Sequence, residues 1–244
     1  MYKRIDGQKV IETIDKLQDR IVARFPESGL SKVAKEVHEL AEKAIDRARL
    51  IREPHVLLRL AVTVLVVASI ALLGGTLIRL RMTDELGTLN QFVQFVEAAL
   101  QSAVFSGAAI YFLMNLETRL KRRRALEAIH ELRAVAHIID MHQLIKDPER
   151  ARRGDQSTAA SPKQSLTPFE LGRYLDYCSE MLALVSKIGA LYVQDFPDQI
   201  ALQAVDQVED LASGLSRKIW QKIMILDRII GEQQLATEQE EPKV

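Results

Sequence analysis

Two long apolar segments constrain this chain more than any other feature of its sequence. Neither the segment from Leu60 to Ile78 nor the segment from Ala98 to Leu116 contains a charged residue. A helix needs about 20 mostly apolar residues to cross a hydrocarbon core about 30 Å thick. Both segments have this length, and their apolar character continues nearly all round each helix. The sequence therefore predicts a transmembrane helical hairpin rather than a pair of buried core helices.

Basic residues concentrate on the outer flanks of the two segments. Those before the first segment are Lys43, Arg47, Arg49 and Arg52. A basic cluster follows the second segment and comprises Arg119, Lys121, Arg122, Arg123 and Arg124. The connecting turn has only Arg79 and Arg81, beside two acidic residues. The positive-inside rule then predicts that both termini lie in the cytoplasm, that the turn lies outside, and that the hairpin crosses a plasma or inner membrane.

The polar remainder of the chain predicts further helices, so the expected fold is all-α. We expect the N-terminal αα-hairpin and the C-terminal helices to form a cytoplasmic helical bundle with coiled-coil-like seams. The predicted division is a cytoplasmic N-terminal helical hairpin (1–53), a transmembrane hairpin (54–116, with spans of about 56–78 and 92–116 and an outer turn of 79–91), a cytoplasmic helical extension (117–145), a linker (146–166), a C-terminal cytoplasmic helical domain (167–231) and a disordered tail (232–244).

Local signals mark several helix ends. Thr167, Pro168 and Glu170 occupy the N-cap, N1 and N3 positions of a capping box. Asp198 is predicted as the next N-cap and Gly231 as a C-cap. The first helix is indicated by an apolar stripe at helical spacing, formed by Val10, Ile14, Leu17 and Ile21.

The second span carries two stripes that lipid alone would not favour. The polar stripe comprises Asn90, Gln94, Glu97, Gln101 and Asn115. The small-residue row comprises Ala99, Ala103 and Gly107, the spacing that lets membrane helices approach closely. Both stripes indicate contact with other helices or, for the polar one, the lining of a pore. The alternative for Glu97 is a place near the outer interface, in water or hydrogen-bonded to Thr76 or Arg79.

Acidic residues and histidines recur after the second span. Glu127 and His130, and likewise His137 and Asp140, stand three residues apart. Carboxylate-bridged metal bundles use Glu-x-x-His pairs on facing helices, and here both pairs lie on one helix. We therefore predict no metal site and interpret His130, His137 and His142 as interfacial or capping residues. Cys178 lies on an apolar face and is interpreted as a small core residue.

Catalytic motifs are missing from the sequence. There is no Gly-rich phosphate loop, G-x-S-x-G, H-E-x-x-H or dinucleotide fingerprint, so we predict no enzymatic activity, catalytic residue or cofactor. The formal net charge of zero argues against binding to nucleic acid. An enzyme based on Glu127, His130, His137 and Asp140 is the weakest interpretation.

Two functions fit these features. The first is a non-enzymatic integral membrane protein that holds a helical module at the membrane, where it binds a cytoplasmic protein partner or a small ligand and associates into a homo-oligomer. The second is an oligomeric, regulated pore or membrane-disrupting effector. In it the polar stripe faces a lumen, and Val104, Ala108 and Tyr111 form an apolar gate.

Overall fold

The computed structural model describes residues 4–83, 89–148 and 166–240, apart from the side chains of residues 76, 77, 79–83, 89–92 and 235–240. Within these ranges the chain is helical and contains no strand, which confirms the predicted all-α class. The helices are α1 (Gly7–Arg24), α2 (Gly29–Arg52), α3 (Val56–Thr83), α4 (Leu89–Leu144), α5 (Pro168–Val193) and α6 (Gln199–Glu240).

The chain divides into two compact units. Residues 53–123 form the hairpin unit, which holds α3 and the first part of α4. The residues on either side form the bundle unit, which holds α1, α2, the rest of α4, α5 and α6. Helix α4 is continuous through the boundary, from Leu89 to Leu144.

Helix α5 lies at the centre of the bundle unit. It packs against α1, α2 and α6, and it buries side chains on nearly all its faces, including Leu175, Leu182 and Ile188. The outer helices each bury only one face; in α1 that face is Val10, Ile14, Leu17 and Ile21, as predicted. Burial of an apolar face stabilises the folded state by about 25 cal/mol per Å² of apolar surface removed from water. The amphipathic helices therefore have a common core to pack on.

Side chains cap the amino ends of two helices in the bundle unit. Thr167 accepts from the backbone N–H of Glu170 at 3.2 Å, and the Glu170 carboxylate accepts from the backbone N–H of Thr167 at 2.8 Å, as predicted for a capping box. Asp198 accepts from the backbone N–H groups of Ile200 and Ala201, which confirms it as an N-cap. These bonds satisfy amide groups that have no partner inside the helix.

One cap comes from a distant part of the chain. The Lys222 ammonium of α6 donates to the carbonyl oxygens of Gln143 at 2.7 Å and Lys146 at 3.1 Å. A cation at the carboxyl end of a helix satisfies free carbonyls and complements the helix dipole. Partial burial lowers the pKa of Lys222. Its contact joins the end of α4 to α6.

The structure corrects the predicted end of the last helix. The sequence predicts Gly231 as a C-cap, but α6 continues past it to Glu240. Residues 232–240 are therefore helical, although they belong to the tail 232–244 that the sequence predicts to be disordered. Glycine lowers helix propensity without breaking a helix, which is the physical reason for the difference. Residues 241–244, most of the predicted linker 146–166 and the centre of the outer turn 79–91 lie outside the described residues.

Candidate functional site

The hairpin unit is held together along one face of each helix. Half-buried residues of α3 include Leu58, Val62, Leu65 and Ser69, and those of α4 include Phe95, Ala99, Ser102, Ser106 and Leu113. The Ser69 hydroxyl donates to the Ser106 hydroxyl at 3.1 Å, which shows that these two faces meet. We call this contact the α3–α4 seam. Ala99 of the small-residue row is half-buried on the same face of α4 as Ser102 and Ser106.

Outside the seam, large apolar side chains of the hairpin unit are exposed. On α3 the exposed fraction reaches 79% at Leu57 and 65% at Ile70, and on α4 it is 67% at Phe105. In both helices the most apolar windows contain no buried residue. Both helices are long and apolar enough to cross a membrane, and they are not the buried core helices of the alternative interpretation.

The polar stripe points away from α3. Gln94, Glu97 and Gln101 are exposed, and at about 100° per residue they lie roughly 140° round α4 from the seam. Among the described residues their side chains make no hydrogen bond. Asn115 is half-buried and donates to the Tyr111 carbonyl of its own helix at 2.9 Å. The side chain of Asn90 lies outside the described residues, as do those of Thr76 and Arg79.

The small-residue row divides between two environments. Ala99 is half-buried in the seam, whereas Ala103 and Gly107 are exposed. A Cβ atom added at Gly107 would meet no atom within 4 Å. Ala103 and Gly107 therefore lie on an uncovered side of α4, roughly 130° round the helix from the polar stripe.

Charged residues meet at the base of the hairpin unit. The Glu117 carboxylate lies 3.0 Å from the Lys121 ammonium and 3.6 Å from the Arg59 guanidinium, and it accepts from the backbone N–H of His55 at 3.4 Å. Arg59 lies one turn inside the predicted first span, where a charged side chain needs a partner, and Glu117 provides it. Both residues line an apolar groove together with Val62 and Leu113. Spacing along the sequence does not predict this pair, because Arg59 and Glu117 are far apart in the chain.

The basic cluster does not act as a single patch. Arg119 is exposed, and Lys121 is paired with Glu117. Arg122 and Arg123 also make contacts within the chain. Arg124, in the bundle unit, lines a groove with Arg47, Leu50, Glu127, Ala128 and Glu131.

Arg47 and Glu131 form the polar centre of that groove. Their side chains lie 2.7 Å apart, and this hydrogen bond raises the pKa of Arg47. Next to Arg47, burial raises the pKa of Tyr192 to about 12. The neutral Tyr192 phenol beside the paired Arg47 guanidinium stabilises the contact between α2, α4 and α5. Neither of these two groups titrates near neutral pH.

The histidines considered as ligands occupy separate environments. His130 and His137 are exposed, whereas His142 is half-buried and packs against Gly29 at the start of α2. In the described ranges no three His, Cys, Asp or Glu side chains are placed to hold a metal ion together. Cys178 is fully buried, and burial raises its pKa to about 12, so its thiol is a core group as predicted.

Comparison with known proteins adds no relative. No protein-family model matches the chain, and neither a curated protein nor a solved structure matches it.

Proposed function

We propose that this chain is a non-enzymatic integral membrane protein. Its hairpin unit holds the bundle unit at the membrane, where the bundle serves as a cytoplasmic partner-binding or sensing module and copies of the chain associate. The observation that supports this most is the contrast in exposure: most of the large apolar side chains described in α3 and the first part of α4 are exposed, whereas most of those in the bundle are buried.

Lipid is the environment that such a surface requires. Monomeric soluble proteins rarely expose apolar patches larger than a few hundred Å². Both helices satisfy their own backbone hydrogen bonds, as a chain in hydrocarbon must. The seam holds the two helices together by a serine pair and half-buried side chains, so the remaining faces are free for acyl chains or other helices.

Charge distribution supports a cytoplasmic bundle. Lysines and arginines precede α3 and follow the apolar part of α4, and the positive-inside rule places such flanks in the cytoplasm. The same orientation puts both termini there. The described part of the bundle presents helix faces, and its thiol, Cys178, is buried, which supports binding over catalysis.

Self-association is supported by the open face of α4. Amide and carboxyl groups in or near hydrocarbon are costly unless they find partners. Gln94, Glu97 and Gln101 have none in the described chain, and they lie opposite the α3–α4 seam. A second copy would supply amides at the same depth, so pairing of α4 helices would satisfy both.

Membrane extraction and thiol labelling test the proposal. We expect the protein to resist alkaline carbonate and to require detergent for release. Cysteines introduced as Glu12→Cys and Gln203→Cys, both at exposed positions, should react from the cytoplasmic side only, and Thr88→Cys in the outer turn from the opposite side only. Buried Cys178 can stay in place as an unreactive background. Release by carbonate, or labelling of Glu12→Cys and Gln203→Cys from opposite faces, would overturn the proposal.

A regulated pore is the second candidate, and the exposed polar stripe specifically favours it. Several copies could direct Gln94, Glu97 and Gln101 towards a lumen, with Val104, Ala108 and Tyr111 as an apolar constriction. Ion flux from proteoliposomes distinguishes the two candidates. A pore predicts flux that changes in Glu97→Ala and Gln101→Leu; flux at background in all three proteins dismisses it.

A further inference from the structure

The outer face of α6 has an unusual order of charges. An acidic block of Asp206, Glu209 and Asp210 comes first. Ser213 and Gly214 follow, and after them comes a basic block of Arg217 and Lys218. All five charged side chains are exposed. At about 100° per residue, Asp206, Asp210 and Arg217 share one side of the helix with Leu202, Trp220 and Met224, and Glu209 and Lys218 lie at the two edges of this side.

Neither block is neutralised within the described chain. The neighbours of Asp206 three and four residues on are Glu209 and Asp210, so the acidic block repels itself. The neighbours of Arg217 on the same side are Gly214 and Trp220. In the described residues none of the five charged groups forms an ion pair. The exposed fraction is 57% for Trp220 and 67% for Met224, so the apolar side chains on this face are also uncovered.

The two blocks are complementary to each other when the helix is reversed. In an antiparallel pair of α6 helices centred between residues 213 and 214, Arg217 of one copy lies opposite Asp210 of the other, whereas Glu209 and Lys218 lie on the two outer flanks of the pair. The Arg217–Asp210 contact occurs twice because a two-fold axis relates the copies. Met224 comes opposite Gln203, beside the exposed Leu202.

Small residues stand where the two helices would cross. Ser213 is exposed, and a Cβ atom added at Gly214 would meet nothing within 4 Å. The axes of packed helices usually lie 8–10 Å apart, and small side chains at the crossing point allow the shorter distances in this range. The crossing point and the centre of the charge pattern therefore coincide.

We propose that the outer face of α6 binds a second copy of this chain in an antiparallel, two-fold symmetric contact. A parallel pair would set acidic block on acidic block and basic on basic, which charge complementarity disfavours. An anionic membrane or nucleic acid would attract the basic block but repel the acidic block beside it. This contact deepens the proposed self-association and rests on it, but it concerns the bundle and not the membrane helices.

Cysteine cross-linking in membranes of expressing cells tests the geometry. Full-length Ser213→Cys should form a covalent dimer with a short bismaleimide, since the two copies of residue 213 lie beside the axis. Gln203→Cys is the matched control: in the antiparallel pair its two copies lie roughly 30 Å apart along the helices and should not be linked. Cross-linking at both positions would indicate a parallel pair, and cross-linking at neither would indicate no pair; either result overturns the proposal.

Charge reversal tests the contacts themselves. Asp210→Arg and Arg217→Asp, each in the Ser213→Cys background, should lower the dimer yield about tenfold, because each change makes two attractive contacts repulsive. Cells that make both variants with different tags should recover the dimer, now between unlike chains, because every 210–217 contact is again of opposite sign. Unchanged helix content by circular dichroism guards against misfolding.

The result separates this inference from the broader proposal. If mixed charge variants fail to recover cross-linking while the protein still resists carbonate extraction, the α6 contact is wrong and the membrane anchor stands. If the protein is released by carbonate, the anchor itself is wrong.

Discussion

The two parts of α4 show how one helix can follow two packing rules. Residues 93–116 carry large apolar side chains on every side, and Leu100, Val104 and Phe112 are at least 60% exposed. Residues 124–144 alternate apolar and charged faces, and Leu132, Ala136 and Ile139 are fully buried. Backbone structure is the same in both, so the difference lies in which side chains the rest of the chain covers. In the proposed membrane hairpin, the exposed apolar residues of the first part would contact lipid, whereas those of the second part stabilise the bundle.

Among the predictions from this contrast, removal of a buried leucine should have the largest effect on the free energy of unfolding. Leu132→Ala opens a cavity in the bundle core and should lower the free energy of unfolding of the bundle by about 2–5 kcal/mol. Leu100→Ala in the same helix removes a side chain that is 65% exposed and should change it by less than about 0.5 kcal/mol. Urea unfolding in detergent, followed by circular dichroism, measures both. Equal losses would show that the hairpin part also packs in a protein core.

A charge in the hairpin should act on insertion rather than on folding. Ile70→Arg puts a guanidinium near the middle of α3 and should cost about 2.5–3.5 kcal/mol of insertion free energy. The carbonate-resistant fraction should fall accordingly. Gln203→Arg adds the same group at an exposed position of the bundle and should leave that fraction unchanged. If both variants keep the full carbonate-resistant fraction, the proposed difference between the hairpin and the bundle is wrong.

The sequence allowed the parts of the fold that depend on near neighbours to be predicted. The capping box at Thr167 and Glu170 and the buried face of α1 follow from spacings of three and four residues, and both are present. Contacts between distant residues could not be found in this way. Arg47 and Glu131, Ser69 and Ser106, and Lys222 with the end of α4 are brought together only by packing.

The candidate site shows the same limit. Periodicity places Gln94, Glu97 and Gln101 on one side of α4, and they do share it. Which side α3 would occupy was not predictable, because both spans are apolar nearly all round and have no single preferred face. The seam runs through Ser102 and Ser106, which a small-residue pattern limited to glycine and alanine does not include.

Two glycines extend the comparison to steric fit. A Cβ atom at Gly29 would overlap the ring of His142, so Gly29→Ala should lower bundle stability by about 1–3 kcal/mol unless the ring moves. Adding His142→Ala should restore most of that loss, which a double-mutant cycle measures. Gly107→Ala meets open space inside a helix and should not lower the free energy of unfolding of the single chain. A loss at Gly107 would show that its side of α4 is already covered.

Helix capping should give a smaller effect. Thr167→Ala removes the hydroxyl that accepts from the backbone N–H of Glu170, and the free energy of unfolding should fall by about 1 kcal/mol. Thr167→Ser keeps the acceptor and should restore it. Chemical denaturation of the two variants checks this, and equal losses would mean that the cap contributes nothing.

The smallest expected effect is a dependence on pH that belongs to the bundle alone. Burial, together with the nearby Lys146, lowers the pKa of His142 below its ordinary value of 6.5. The unfolded chain therefore binds more protons than the folded chain between the two pKa values. Stability is complete above about pH 6.5 and falls as the pH drops towards the folded-state pKa.

Replacement of this one imidazole isolates the effect. His142→Gln keeps a polar side chain near Gly29 but cannot be protonated, so its unfolding free energy should fall less than that of the wild type between about pH 7 and pH 5. No histidine lies between Val56 and Leu116, so insertion of the hairpin should not change over the same range. Parallel slopes for wild type and variant would assign the titration to another group, and a change in carbonate resistance would show that the two units do not respond separately.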